Sequence, residues 1–202
     1  GHCELADAAR SPGYERYGAN EGLASGEVLS VAEDREGYLW AATFASGVQR
    51  FDGQAFERFG PDQGLTSLRV KRIYIDREGQ VWVATLSGLF RFEQGRFVRD
   101  ARLGDAAIFD LLQTRDGAWW FATMDGALCL SDGERLQLTE AQGLPTSNAT
   151  ALAEGPAGEV WIGTTRGLAR FHRGRLTAFC APRSDLRRAC DRWPGLSNDY
   201  VT

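Results

Sequence analysis

A tryptophan followed three positions later by a threonine recurs four times in this chain, and this repeat limits the possible folds more than any other feature. The tryptophans are 42, 38 and 41 residues apart, and each lies in a short run of apolar residues that is typical of a strand. A period of about 40 residues with four short strands per repeat is characteristic of β-propeller blades. The sequence therefore predicts an all-β propeller with four equivalent pairs: Trp40 and Thr43, Trp82 and Thr85, Trp120 and Thr123, Trp161 and Thr164.

Residues 76–92 show the repeat unit most clearly. Asp76 and Gly79 occupy the first and fourth positions of a tight turn, where these residue types are favoured. Residues 81–85 follow as a strand, and Gly88 can adopt the positive φ that the next reversal needs. We expect the repeated tryptophans to be structural and to fill the space between neighbouring blades. We expect the repeated threonine hydroxyls to satisfy backbone groups of the turn that follows.

The repeats divide the chain into four predicted blades and the start of a fifth. The approximate bounds are 22–63, 64–105, 106–142 and 143–194, and a new repeat begins at residue 195. Residues 14–17 match residues 56–59, which form the outermost strand of the first blade. Residues 1–13 begin with Gly1-His2, which resembles a tag remnant, and show no pattern. We therefore expect residues 14–202 to be a propeller fragment with a stray strand at each end.

The sequence is compatible with three arrangements of this fragment. It can remain an open arc with frayed ends, or two copies of the chain can join through their exposed strand edges. Alternatively, the remainder of its own propeller, about three further blades, completes a parent of about seven blades, within the usual range.

The repeat resembles a known family, the two-component regulator propeller repeat. The residues that carry the resemblance are Gly64-Leu65, Asp76, Gly79, Trp82, Thr85, Gly88-Leu89 and Arg91-Phe92, and the similarity extends over about residues 14–202. It implies a sensor region on the periplasmic or extracellular side of a membrane protein. In that family a membrane-spanning helix and a histidine kinase, often hybrid, or a diguanylate cyclase usually follow. The resemblance thus implies a region that binds a ligand and is not itself catalytic.

A binding site has to be predicted from propeller geometry. The loops that lead into the innermost strands share one face with the turns between second and third strands, and functional residues are frequently found on such loops. We expect an unknown small molecule or glycan to bind at this channel mouth. Arginines there would favour an acidic ligand. The predicted ligand-binding residues are Phe44, Arg69, Asp125, Asn148 and Arg166.

Cys180 and Cys190 bracket an insertion in the fourth repeat, and they are predicted to form a disulfide. A bridge would fit an oxidising compartment outside the cytoplasm. The alternative is two free thiols in a loop. Cys129 is expected to be free and buried in its strand. The four cysteines include no C-x-x-C pair, so we expect no metal site.

Other function classes have less support in the sequence. His172 is the only histidine besides His2, and it aligns with the turn residue Asp52, so no catalytic triad is predicted. No cofactor motif is present, and a net charge of −4 does not suggest a nucleic-acid partner. A membrane contact is expected only through parts that are absent here. An extracellular lyase-like propeller enzyme and a propeller that serves only protein–protein interaction remain alternatives.

Overall fold

The computed structural model describes residues 16–24 and 27–179, which form four four-stranded antiparallel sheets with strands in chain order. This confirms the predicted all-β fold of propeller blades. The first and second sheets contain β1 (Val28–Glu33), β2 (Leu39–Thr43), β3 (Gly47–Phe51), β4 (Phe56–Phe59), β5 (Val70–Ile75), β6 (Val81–Thr85), β7 (Gly88–Glu93) and β8 (Arg96–Asp100). The third and fourth contain β9 (Ile108–Gln113), β10 (Trp119–Thr123), β11 (Gly126–Ser131), β12 (Glu134–Leu138), β13 (Ala149–Glu154), β14 (Val160–Thr164), β15 (Gly167–His172) and β16 (Arg175–Phe179).

Short 3-10 turns precede the four innermost strands. Their bounds are Ala19–Glu21, Pro61–Gln63, Ala101–Leu103 and Glu140–Gln142. Three of them are followed by the Gly-Leu pair, in which the glycine adopts a left-handed conformation and the leucine is buried. The third repeat lacks this pair in sequence, yet Leu103 enters the core between the second and third sheets, as Leu65 does between the first and second. The packing of the third blade is therefore kept although its motif is lost.

The glycine that opens each third strand is required by geometry. Gly88 has a φ of 110°, which side-chain-bearing residues rarely adopt. A Cβ added there would also lie 2.8 Å from the carbonyl oxygen of Gly104. The segment between β8 and β9, which contains Gly104, can therefore approach this turn closely only because residue 88 is a glycine.

Successive sheets pack on one another in chain order through three apolar clusters. The first cluster contains Trp40 from the first sheet and Ile73 from the second. The Trp40 ring lies 4.8 Å from Phe92, 5.4 Å from Phe59 and 6.1 Å from Phe97, measured between ring centroids. Equivalent clusters join the second sheet to the third and the third to the fourth. The core of this protein thus lies between the blades.

Each terminal sheet has one face with no neighbouring sheet among the described residues. The first-blade face is formed by Val28, Val31 and Leu39, and their equivalents in the second blade pack against the first. The fourth-blade face is formed by Trp161, Leu168 and Phe179, and their equivalents in the first blade pack against the second.

The predicted stray strand at residues 14–17 is only partly within the described chain. Arg16 and Tyr17 are not part of any strand of the described chain. Tyr17 nevertheless packs at 4.8 Å from Phe51 and 5.9 Å from Phe56. Phe59, its equivalent 42 residues later, packs on Phe92 and Phe97 in the same way. Residues 14 and 15, the predicted Cys180–Cys190 bridge and the fifth repeat lie outside the described residues.

Candidate channel-mouth site

The loops that lead into the innermost strands are tied to the turns between second and third strands. The backbone N–H of Phe44 donates to Glu27 O over 2.9 Å, that of Leu86 to Arg69 O over 3.1 Å, and that of Thr165 to Asn148 O over 3.1 Å. Both sets of loops therefore lie on one face, which we call the mouth face.

The repeated threonines hold the mouth-face turns in shape. Thr85 Oγ1 donates to Gly88 O over 2.9 Å and accepts from the Ser87 N–H over 3.0 Å. Thr123 and Thr164 donate to Gly126 O and Gly167 O over 2.8 Å, and Thr43 donates to Gly47 O over 3.4 Å. Each hydroxyl forms hydrogen bonds with backbone groups that the tight turn would otherwise leave unpaired. The turn is therefore rigid, while the residues at its tip vary.

The five predicted ligand-binding residues all lie on mouth-face loops. Four have exposed side chains, and 56% of Phe44 is accessible to solvent. Asn148 is half-buried, and its Oδ1 is buried without a hydrogen-bond partner among the described residues. Within the described chain, no hydrogen bond or ion pair joins the five side chains to one another. The structure therefore brings them to one face without assembling them into one cluster.

A charged pair on the innermost strands was not predicted from the sequence. Arg72 of β5 lies with its Nε 3.3 Å from Asp110 Oδ1 of β9, so the pair bridges the second and third blades. Asp110 also accepts from the backbone N–H groups of Leu111 over 2.9 Å and Leu152 over 2.8 Å. One carboxylate thus links three successive blades beside the central channel.

Burial raises the pKa of the Asp110 carboxyl, while the Leu152 N–H and the Arg72 guanidinium act in the opposite direction. A carboxylate held in a poorly solvated position needs such partners to stay ionised. The sequence repeat could not reveal this pair, because neither Arg72 nor Asp110 recurs at the equivalent positions of the other blades. The structure was needed to find it.

The face opposite the mouth carries the first turn of each blade, and in the first two blades an aspartate of this turn binds the repeated tryptophan. Asp34 accepts from Trp40 Nε1 over 2.6 Å, and Asp76 accepts from Trp82 Nε1 over 2.7 Å. The fourth blade has Gly155 at this position. The Glu159 carboxylate takes the space that a side chain on Gly155 would fill, and it accepts from the Ala157 N–H over 2.9 Å. Backbone hydrogen bonding, with the Trp161 indole contributing, lowers the pKa of Glu159.

Arginines on this opposite face connect successive blades. Arg35 donates to Arg77 O, Arg77 donates to Arg115 O over 2.5 Å, and Arg115 donates to Gly155 O over 2.7 Å. Each guanidinium satisfies a turn carbonyl of the next blade, so these residues are structural. The fourth blade has Pro156 in place of the arginine.

Two open cavities are also located on the opposite face. One, of about 400 Å³, lies between the first and second blades, where the Arg50 guanidinium carbon is 4.4 Å from the centre of the Tyr38 ring. The other, of about 540 Å³, is lined by Arg102, Trp119 and Glu134. Neither cavity includes any of the five predicted residues. Arg50 is paired with Glu57 and stacked on aromatic rings, which is a structural arrangement.

The remaining candidates for chemistry are few. Among the described residues, no group of three or more His, Cys, Asp or Glu side chains is arranged to hold a metal ion. His172 is the last residue of β15 and pairs with Arg175 across the tight turn at residues 173–174, at the end of the strand away from the mouth. Cys129 is free and half-buried, and burial, with a smaller effect from Asp116, raises its pKa to about 11. None of the helices found in the described ranges is long and apolar enough to cross a membrane.

The sequence comparisons identify the repeat. The family model of the two component regulator propeller matches residues 22–45, 64–87 and 143–166. No curated protein matches the sequence.

Solved structures with the same fold belong to proteins of more than one kind. The extracellular domain of a protein described as a hybrid two component system, BT4673 from B. thetaiotaomicron, aligns with a TM-score of 0.63 at 18% identity over 76% of this chain. Virginiamycin B lyase from Staphylococcus aureus aligns with a TM-score of 0.61 at 16% identity over 78%. A gluconolactonase from Xanthomonas campestris aligns with a TM-score of 0.59 at 15% identity over 78%. The aligned parts are 25%, 57% and 63% of those chains.

Proposed function

We propose that this chain, which carries repeats of the two component regulator propeller family, is the extracytoplasmic sensor region of a membrane signal-transduction protein. The parent would be a two-component sensor kinase or a diguanylate cyclase, and the chain itself would be non-catalytic. The observation that carries the proposal is the family match in three of the four blades. The structural likeness to an extracellular domain of a hybrid two component system supports a periplasmic or extracellular location.

The mouth face is the proposed place for the ligand. Its turns are fixed by the threonine hydroxyls, so variable tip residues are presented on a rigid support. The exposed side chains of Phe44, Arg69 and Arg166 offer one apolar and two cationic contacts. A small molecule or glycan with acidic groups would fit this combination.

The two terminal faces are proposed to be covered by the rest of the same propeller. Val31 and Leu168 expose apolar surface, whereas their second-blade equivalents Ile73 and Leu89 are buried at internal junctions. The aligned four blades are 57% of virginiamycin B lyase, which leaves that protein length for about three more repeats of about 40 residues. The other candidate for covering these faces is a second copy of the chain. The fourth-blade face of one copy would then pack on the first-blade face of the other.

A lyase-like enzyme is the second candidate function, and the structural likeness to virginiamycin B lyase favours it. A histidine-to-alanine variant of that lyase is described as catalytically inactive. In the described part of this chain the single histidine, His172, lies away from the mouth face. A role in protein–protein interaction alone is the third candidate.

Two experiments test the proposal. The first determines the reading frame that contains this chain, and the second fuses alkaline phosphatase after Thr202 and expresses the fusion in the source organism. This reporter is active only outside the cytoplasm. We expect an active fusion and a frame that continues into a membrane-spanning segment and a kinase or cyclase module. A frame that encodes a secreted protein with a histidine cluster at the mouth, and no membrane segment, would support the lyase-like function instead.

A further inference from the structure

The second blade carries a cluster of cations that the repeat does not explain. Lys71 and Arg72 lie at the start of β5, the innermost strand of that blade, and Arg69 directly precedes the strand. In a repeat protein, residues that recur at equivalent positions maintain the shared fold, so charges that occur in one blade only need another explanation. The equivalent residues of the first, third and fourth blades are Glu27, Leu29 and Ser30; Ala107, Phe109 and Asp110; Asn148, Thr150 and Ala151.

The backbone at this place is irregular in a way that re-aims side chains. The pairing of β5 with β6 shifts register between Val70 and Arg72, which leaves Lys71 outside the regular pairs. Such a bulge bends the strand and changes the direction of the residue within it. The same bulge lies at the start of the innermost strand in all four blades, so it belongs to the shared fold, and only the cation at the bulged position is particular to the second blade. Lys71 is also the only lysine of the chain.

Asp110 of the neighbouring blade holds Arg72 in place. The Asp110 side chain is 15% exposed and is fixed by the N–H groups of Leu111 and Leu152. The contact between the two side chains joins Arg72 Nε to Asp110 Oδ1 over 3.3 Å, and the Arg72 side chain is 49% exposed. Neither Nη group of Arg72 donates a hydrogen bond to a described residue. Asp110 thus orients the guanidinium from one side, and the Nη groups of Arg72 are available to a ligand.

We infer that the inner edge of the second blade binds a small molecule that carries a carboxylate or a phosphate. Arg72 and Lys71 contact the anion, and Asp110 is a positioning residue that acts through Arg72. A guanidinium with two free N–H edges matches the paired oxygens of either anion. Arg69, exposed on the loop above, extends the cationic surface to the mouth face. The inference rests on the proposed ligand-binding function and specifies its ligand class.

The exposed carboxylate of Asp125 limits where this anion can lie. Asp125 is on the mouth-face turn of the third blade. It repels an anion on that side, whereas the second blade attracts it. The ligand is therefore expected against β5, with its uncharged part directed to the other blades.

The inference is tested by isothermal titration of the 202-residue chain with three matched probes: glucose, glucuronate and glucose 6-phosphate. The variants are Arg72→Gln and Lys71→Gln. The matched control is Arg96→Gln, which removes an exposed charge from β8, the outermost strand of the same blade. Thermal unfolding of each variant verifies that it is folded, and Lys71→Gln decides the result if Arg72→Gln does not fold.

We expect at least one anionic probe to bind more tightly than glucose. Arg72→Gln should weaken that binding by about 10-fold or more and Lys71→Gln by about threefold, while Arg96→Gln leaves it unchanged. Raising the ionic strength from about 0.01 M to about 0.15 M should also weaken it, because the screening length falls from about 30 Å to about 8 Å. Tighter binding of glucuronate would indicate a carboxylate ligand, and tighter binding of glucose 6-phosphate would indicate a phosphate ligand.

The opposing outcomes separate this inference from the proposed function. Glucose binding as tight as that of both anions would overturn the anion assignment and leave a ligand-binding propeller. Binding of an anion that is insensitive to Arg72→Gln and Lys71→Gln, or equally sensitive to Arg96→Gln, would overturn the site. The absence of binding by both anionic probes would overturn the inference, whereas the reading-frame and fusion experiment decides the sensor function independently.

Discussion

The internal junctions and the two terminal faces use the same kinds of residue in different surroundings. Ile73 is 2% exposed at the junction of the first and second blades, whereas its equivalent Val31 on the first-blade face is 60% exposed. Leu89 is fully buried at the next junction, whereas its equivalent Leu168 on the fourth-blade face is 40% exposed. The position in the repeat sets the residue type, and the presence of a neighbouring blade sets its burial.

This difference shows that each blade encodes two half-interfaces. A blade presents the equivalents of Ile73 to the preceding blade and the equivalents of Leu89 to the following one. Stability in such proteins is approximately a sum of repeat terms and nearest-neighbour interface terms. A substitution should therefore be costly at an internal junction and nearly neutral on a terminal face.

The largest difference is expected when a charge is placed at the two equivalent inner-strand positions. Ile73→Asp buries an unpaired carboxylate between blades, which costs more than about 4 kcal/mol, a large fraction of the stability of a typical domain. Val31→Asp adds the same charge to an exposed position and should change the free energy of unfolding by less than about 0.5 kcal/mol. Circular dichroism during urea unfolding measures both. Loss of the cooperative transition in Val31→Asp would mean that the first-blade face is covered.

A smaller effect should be seen at Cys129, which packs at the junction of the third and fourth blades. Because burial raises its pKa from an ordinary value of 9.0 to about 11, little thiolate is present near neutral pH. At pH ~8 the thiolate fraction is lowered about 100-fold, so alkylation of native Cys129 by iodoacetamide should be slower than in urea by about that factor. Peptide mapping by mass spectrometry follows the reaction. Equal rates in native and unfolded protein would show that this junction is open.

The blade pattern could be predicted because it depends on local chemistry. The turn before Trp82, the strand that contains it and the reversal at Gly88 are each specified within a few residues. The predicted strands 56–59 and 81–85 have the same bounds as the observed β4 and β6 for this reason. The loss of Gly-Leu in the third repeat did not alter the fold, because Leu103 supplies the same buried side chain.

The contacts between blades could not be predicted, because they join residues that are far apart in sequence. The Arg72–Asp110 pair and the donation from Arg77 to Arg115 O each link positions 38 residues apart. Glu159 replaces the turn aspartate from a position four residues after Gly155, so alignment of the repeats does not reveal it. The five mouth-face residues could be assigned to a face, but whether they touch a common ligand depends on side-chain contacts that no repeat pattern specifies.

The most direct test of the half-interface account is a comparison of Leu89→Ala with Leu168→Ala. The two leucines occupy the same position of their repeats and undergo the same substitution, so only the neighbouring blade differs. The free energy of unfolding, measured in urea, should fall by about 2–5 kcal/mol for the buried Leu89 and by less than about 1 kcal/mol for Leu168. Equal losses would contradict the account, because the fourth-blade face would then be packed as tightly as an internal junction.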